Sequence, residues 1–322
     1  VHAIRVHQIG GPEVLRYESV ERPSPGAGQA LVQLEATGIN FLEVYQRTGL
    51  YQVQLPFTPG SEAGGTVVEV GPRVTSVRVG DRVASVNFAG SYGEFALAPA
   101  ERLVKLPDGV STRLGAAVML QGITAQYLAS STFPLASGHV CLIHAAAGGV
   151  GLLLCQIARR RGARVIGTVS TEEKAALARE AGAHEVILYT EQDFQVETMK
   201  QTGQGGVDVV YDSVGRTTFA KGLECLAPRG MMVLYGQSSG PVEALDPQIL
   251  NRKGSLFLTR PSLGHYVATN AELLQRASDV LGWVADGSLK VRIGHEFPLA
   301  AAPQAHTELE ARRTTGKVLL IP

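Results

Sequence analysis

Between Val140 and Arg161 the chain reads V-C-L-I-H-A-A-A-G-G-V-G-L-L-L-C-Q-I-A-R-R-R, and no other stretch restricts the fold as tightly. Val140 to Ile143 is a short apolar run with the length of a buried strand. The residues from Ala145 to Gly151 are small, and Leu153, Leu154, Ile157 and Ala158 then recur at helical spacing. Gly162 supplies the left-handed residue that ends such a helix. A strand, a glycine turn and a helix in that order form the context in which a glycine fingerprint carries meaning. Ala146, Gly148 and Gly151 occupy the G-x-G-x-x-G positions, with alanine at the first. Gly148 and Gly149, followed by Val150, let the backbone approach a pyrophosphate, and Gly151 lets the helix lie close to its strand. The helix N-terminus adds N–H donors and a partial positive charge. A tight turn that binds nothing is the competing reading, and the strand signals that follow weigh against it.

From about Gly122 onward helical and parallel-strand signals alternate. Gly122 to Leu128 reads as a helix joining two domains, and Arg164 to Val169 as the second strand of the unit. NAD-preferring proteins usually end that strand with an acid. Counted from Ala146 the position falls near Ser170, which is small and neutral and repels no 2′-phosphate. Ser170-Thr171-Glu172-Glu173 has capping-box spacing, and Lys174 follows one turn into the helix it opens. The two glutamates oppose a second negative charge, and a capped surface helix with a solvated lysine is the alternative. Glu185 to Tyr189 is a third strand with Tyr189 at its C-terminal end, and Gly206 to Gly215 a fourth, ending in Asp212, Ser213 and a small-residue turn. Asp212 in that context stabilises the turn rather than acting as a base. Gly230 to Gly240 is a fifth strand that exits through Gly236, Gln237, Ser238 and Ser239.

The preceding third, from Val1 to about Gln121, alternates short β-type runs (Ala30–Glu35, Gly65–Val70, Arg82–Val86) with glycine and proline signals. Such spacing leaves no room for crossover helices and predicts a mainly β domain. At 322 residues the chain accommodates two cores, and a formal net charge of zero gives no global field to recruit nucleic acid or an anionic membrane. Cys141, Cys155 and Cys225 are too scattered for a disulfide framework or a metal site. No signal-peptide-like segment and no membrane-length apolar run is apparent, so a cytoplasmic location is expected. Near the C-terminus, Thr269 to Glu272 has capping-box spacing ahead of an apolar face of Leu273, Leu274, Ala277, Val280, Leu281 and Val284. A helical segment is expected over His306 to Arg313, and a last strand from Gly316.

Ala36 to Gly49, Pro59 to Gly71, the glycine turn and Asp212-Ser213-Val214-Gly215 together resemble the medium-chain dehydrogenase/reductase superfamily over the whole chain. Within it the sequence is most similar to the zinc-free quinone oxidoreductases, the group that includes zeta-crystallin. The resemblance implies an α/β fold: a Rossmann doubly wound parallel-sheet domain (123–264) inserted into a mainly β GroES-like catalytic domain (1–122), which 265–322 completes. Zinc-dependent relatives carry Cys where this chain has Asn40 and His where it has Ser61, and nothing from Ala98 to Pro107 is cysteine. No metal is therefore expected. Without a Lewis acid, alcohol oxidation lacks its usual device, whereas hydride donation to an electron-poor acceptor needs none.

The same resemblance brings Asn40 and Tyr45 close to the nicotinamide and the acceptor, where each side chain would donate to a developing oxyanion. For Tyr45, packing with an exposed tip is the alternative. Glu62 reads as a carboxylate accepting loop hydrogen bonds rather than as a base. The resemblance further implies Thr124 beside the nicotinamide amide, Lys174 on a 2′-phosphate, Tyr189 against the adenine, and Ser213 and Gly236 to Ser239 along the cofactor. Arg312 either reaches the phosphates or belongs to a solvated basic face with Arg313. The Phe257-Leu258-Thr259 strand is counted with the cofactor residues and also forms the sheet edge through which two subunits pair as a homodimer. The expected function is NADPH-dependent reduction of a quinone in the cleft between the domains. Reduction of α,β-unsaturated aldehydes or ketones is the alternative, and a second role in RNA binding or as a structural protein stays open, although no aromatic-basic stripe supports nucleic acid.

Overall fold

The computed structural model describes residues 1–322, which divide into two compact units. The first comprises Val1–Ile123 with Val267–Pro322, and the second is the continuous segment Thr124–Tyr266. In chain order the first unit begins with β1 (His2–Arg5), β2 (Arg16–Ser19), β3 (Gln29–Ile39), α1 (Phe41–Arg47), β4 (Ala63–Val70), β5 (Arg82–Ser85), β6 (Phe95–Pro99) and β7 (Val104–Lys105). Helix α2 (Thr112–Tyr127) follows. It starts ten residues ahead of the segment expected from Gly122, because Thr112 to Gln121 carries no sharp amphipathic signal yet most of its residues are buried.

The second unit contains β8 (Val140–Ile143), α3 (Gly149–Arg160), β9 (Arg164–Val169), α4 (Glu172–Glu180), β10 (Glu185–Leu188) and α5 (Phe194–Gln201). It continues with β11 (Val207–Asp212), α6 (Phe219–Glu224), β12 (Leu226–Leu234), α7 (Gln248–Arg252), β13 (Phe257–Thr259) and α8 (Leu263–Tyr266). The chain then returns to the first unit with α9 (Asn270–Ala285), β14 (Ile293–Pro298), α10 (Ala302–Glu310) and β15 (Lys317–Ile321).

In the second unit six strands pair in the order β10-β9-β8-β11-β12-β13, every pairing parallel. Parallel strands covered by helices on both faces read as near-continuous apolar runs, as Val140–Ile143 does, and β9 is buried from Val165 to Val169. Their core gathers Leu142, Ile166, Ile187, Val210, Met232 and Leu234. Gly151 is where α3 lies tight against the turn that follows β8: a Cβ there would collide with the Ala145 carbonyl oxygen and lie 2.8 Å from the Ala146 backbone. His144, at the end of β8, is buried with Nδ1 2.9 Å from Thr168 Oγ1 and its ring edge-on to Phe194, which makes it a packing residue.

The first unit is built on the long strand β3, which pairs antiparallel with β4, β6 and β15. Strands β14 and β15 are parallel, with α10 between them as the crossover. Two local expectations near this end are corrected. Leu274 is exposed, because the apolar stripe of α9 narrows to Leu273, Ala277, Val280 and Leu281. Helix α10 ends at Glu310, so Arg312 lies beyond it with a positive φ of 60°. The capping box at Thr269 is present, with Thr269 Oγ1 accepting from the Glu272 N–H at 3.2 Å. No helix is long and apolar enough to cross a membrane.

Candidate active site

Ligands of open parallel sheets sit beyond the C-terminal ends of the strands, near the point where strand order reverses. In the second unit the reversal falls at β8, flanked by β9 and β11. The turn after β8 holds Gly148 and Gly149, and Gly148 is the N-cap of α3 with no side-chain cap. The first helical bond runs from the Leu152 N–H to the Gly148 carbonyl, so the N–H groups of Gly149, Val150 and Gly151 belong to the open first turn. The turn after β9 holds Ser170 and Thr171. Here Thr171, not Ser170, is the N-cap, because its hydroxyl accepts from the Lys174 N–H. Ser170 instead receives the Lys174 ammonium on its hydroxyl at 3.3 Å and the Thr190 hydroxyl on its carbonyl at 2.9 Å. Glu172 and Glu173 are exposed, whereas Lys174 is half-buried.

Tyr189 follows β10 with a partly exposed ring. After β11, Asp212 Oδ1 accepts from the N–H groups of Val214 and Gly215 and from the Thr218 hydroxyl, a carboxylate fully engaged in holding its turn. That turn is knitted to the exit of β12, where Ser238 and Ser239 donate backbone N–H groups to the Ser213 and Val214 carbonyls. Gly236 and Gln237 lie in the same exit, and Thr124 is buried in α2. β13 forms the sheet edge, with Phe257 56% and Leu258 38% exposed and Thr259 at its end. Arg312, in the first unit, is exposed.

The first unit presents a second cluster around Asn40, the N-cap of α1. Its Oδ1 accepts from Lys317 Nζ at 2.9 Å and from Gln121 Nε2 at 3.2 Å, and its Nδ2 donates to Glu62 Oε2 at 3.0 Å. Glu62 and Lys317 form a fully buried ion pair at 2.5 Å, and Glu62 Oε1 also accepts the Leu120 N–H at 2.6 Å. Glu62 therefore does more than receive loop hydrogen bonds: its main partner is a lysine 255 residues away. Gly38 makes room for the pair, since a Cβ there would collide with Glu62 Oε2 and lie 2.6 Å from Lys317 Nζ. Glu43, also buried, accepts the Asn40 N–H on Oε2 at 2.8 Å while its Oε1 has no partner. Burial pushes its carboxyl up to about 7, against the lowering effects of the Asn40 N–H and the Lys317 charge. Tyr45 is nearly buried and packs its ring against Phe41 and Tyr51. Sequence reasoning missed Lys317, Gln121 and Glu43. A lysine leading the apolar run K-V-L-L-I, and a glycine inside β3, were the available signals.

No three His, Cys, Asp or Glu side chains converge to hold a metal ion. At Asn40 and Glu62 the cation is already supplied by the Lys317 ammonium, so the residues present do not fit zinc. A parallel-sheet Rossmann-like unit inserted in the sequence of a GroES-like β unit defines a medium-chain dehydrogenase/reductase. Residues 26–108 match the family described as alcohol dehydrogenase GroES-like domain, and residues 149–278 match zinc-binding dehydrogenase. The chain is 46% identical to a quinone oxidoreductase of Pseudomonas aeruginosa, with 99% of each chain covered. It is 43% identical to a 2-haloacrylate reductase of a Burkholderia species, over 100% of this chain and 99% of the relative. Among solved structures, mycobacterial Rv1454c complexed with NADPH aligns at 47% identity over the full length of both chains, with a TM-score of 0.98. The chain belongs to the quinone oxidoreductase family.

Proposed function

We propose that this chain is an NADPH-dependent quinone reductase that works without a metal. The observation that carries the reading is the alignment of the glycine turn, the Ser170–Lys174 segment, Tyr189 and the Gly236–Ser239 exit along one edge of a reversing parallel sheet. The likeness to a quinone oxidoreductase and to a structure complexed with NADPH supports it. In this reading the first-turn N–H groups of Gly149 and Val150 hold the pyrophosphate. Ser170, Thr171 and Lys174 take the 2′-phosphate, Tyr189 lies against the adenine, and Ser213 and the Gly236–Ser239 exit line the cofactor with Thr124, Phe257, Leu258 and Thr259. The bound cofactor supplies a hydride. Asn40 and Tyr45 orient the acceptor by donating to the oxygen that gains charge, and the product takes its proton from water.

The domains of this reading are residues 1–122 and 265–322 for catalysis and 123–264 for the cofactor. Pairing of two copies through the exposed β13 edge belongs to the same proposal, and so does a cytoplasmic location, supported by three buried free thiols. Sedimentation of wild type against Leu258→Lys checks the pairing, a monomeric wild type removing it. The identity to a 2-haloacrylate reductase favours a second reading, reduction of a conjugated, electron-poor double bond. Steady-state rates with 1,4-benzoquinone and with an enone separate the two. A fluorescence titration tests the cofactor assignment. Lys174→Ala is expected to weaken NADPH by about tenfold, the equivalent of about 1.4 kcal/mol, while NADH binding stays nearly unchanged. Equal losses would remove Lys174 from the phosphate site.

A further inference from the structure

An asparagine side chain is a useful hydrogen-bond donor only if its amide is held the right way round. At Asn40 the surrounding charges decide that orientation. The three ammonium protons of Lys317 meet the Ile39 carbonyl at 3.3 Å, Asn40 Oδ1 at 2.9 Å and Glu62 Oε2 at 2.5 Å. Lysine cannot accept, so it fixes Oδ1 on its own side, and the carboxylate cannot donate, so it fixes Nδ2 on the other. Rotating the amide by half a turn would set N–H against ammonium and oxygen against carboxylate, both in a dry interior. Gln121 Nε2 is a second donor to the same Oδ1. One Nδ2 hydrogen is spent on Glu62, which leaves its geminal partner with a defined direction. A cation against Oδ1 also draws electron density from the amide and strengthens that remaining N–H as a donor.

We propose that the Glu62–Lys317 ion pair positions and polarises Asn40, so that its second Nδ2 hydrogen is the fixed donor to the acceptor's oxygen. Glu62 and Lys317 are positioning residues that act through Asn40, and the pair takes the place of a Lewis acid with a charge-oriented amide. The proposal rests on the reading that Asn40 meets the acceptor.

The test is a double-mutant cycle on the full chain, assayed with NADPH and 1,4-benzoquinone and accompanied by NADPH titration. Asn40→Ala is expected to lower kcat by about a hundredfold, in the range for an oxyanion donor. Lys317→Met is expected to lower kcat by about tenfold or more, with NADPH affinity and quinone KM held within about threefold, and to add nothing on top of Asn40→Ala. Replacing both charges in Glu62→Gln/Lys317→Met removes the uncompensated buried carboxylate, so this variant carries the test if the single one fails to fold. In wild-type 1H–15N spectra the Asn40 side-chain amide pair is expected to exchange slowly with solvent and to lose that protection in the charge-free double variant. If Lys317→Met retains full kcat while Asn40→Ala loses it, or costs the same with and without Asn40, the positioning role is overturned. Full activity of Asn40→Ala would overturn the underlying reading of Asn40, and the proposal with it.

Discussion

Replacing Glu43 by glutamine removes a carboxyl that burial raises from 4.5 to about 7, and keeps an oxygen to accept the Asn40 N–H. The sign follows from where the proton sits in each state. Below about 4.5 the folded and unfolded chains both hold it, and Glu43 costs nothing. Between about 4.5 and 7 only the folded chain holds it, so stability falls as pH rises; above about 7 the penalty is constant. A displacement of that size corresponds to about 3 kcal/mol. The groups that share this interior are Lys317 from β15, Glu62 ahead of β4, and Tyr92 ahead of β6, with Arg47 one turn along α1. Lys317 attracts the ionised form and Glu62 repels it, and both effects are contained in the value of about 7. Thermal or urea melts of wild type and Glu43→Gln at pH 4.5 and pH 8.5 give the readout. The two proteins are expected to match at the lower pH. At the higher pH the variant should be the more stable, by roughly 6–12 °C if each kcal/mol moves a unit of this size by about 2–4 °C. A stability difference that is the same at both pH values, or a variant weaker at pH 8.5, would refute the reasoning.

Two further outcomes test the nucleotide-binding unit. Gly151→Val drives a side chain into the Ala145 carbonyl and the Ala146 backbone, so the unit is expected to lose about 1–3 kcal/mol and most of its NADPH affinity, read by melting and by fluorescence titration. Asp212→Ala strips acceptors from two N–H groups and the Thr218 hydroxyl and is expected to cost about 2–4 kcal/mol, whereas Asp212→Asn keeps an acceptor and costs less than half of that; equal losses in urea melts would remove the turn-holding role.

What the sequence reveals depends on how far apart the cooperating residues lie. β8, its glycine turn and α3 are contiguous, and each carries its own periodicity, so the strand-turn-helix from Val140 to Arg160 was legible without tertiary information. The capping box at Thr269 is a four-residue pattern and was legible for the same reason. Ser170 and Thr171 are both good N-caps, and local spacing does not separate them; the tertiary use of Ser170 by Lys174 and Thr190 does. The start of α2 was hidden because its first turns are buried on more than one face, which erases the amphipathic stripe. The Asn40 cluster was half legible. Asn40 stood out at a helix start, but its partner Lys317 is 277 residues away, and no periodicity links them.

β15 lies inside its sheet, between β14 and β3, rather than at a margin. During synthesis Lys317–Ile321 leaves the ribosome after the whole of Thr124–Tyr266, so the later-encoded unit can finish folding before the earlier one acquires its closing strand. A nascent chain arrested at Gly316 should therefore carry a protease-resistant Thr124–Tyr266 segment flanked by cleavable Val1–Ile123, with the Asn40 amide still waiting for its cation. If Asn40 meets the acceptor as proposed, competence for chemistry is in this way tied to the arrival of one lysine encoded after the whole of Thr124–Tyr266.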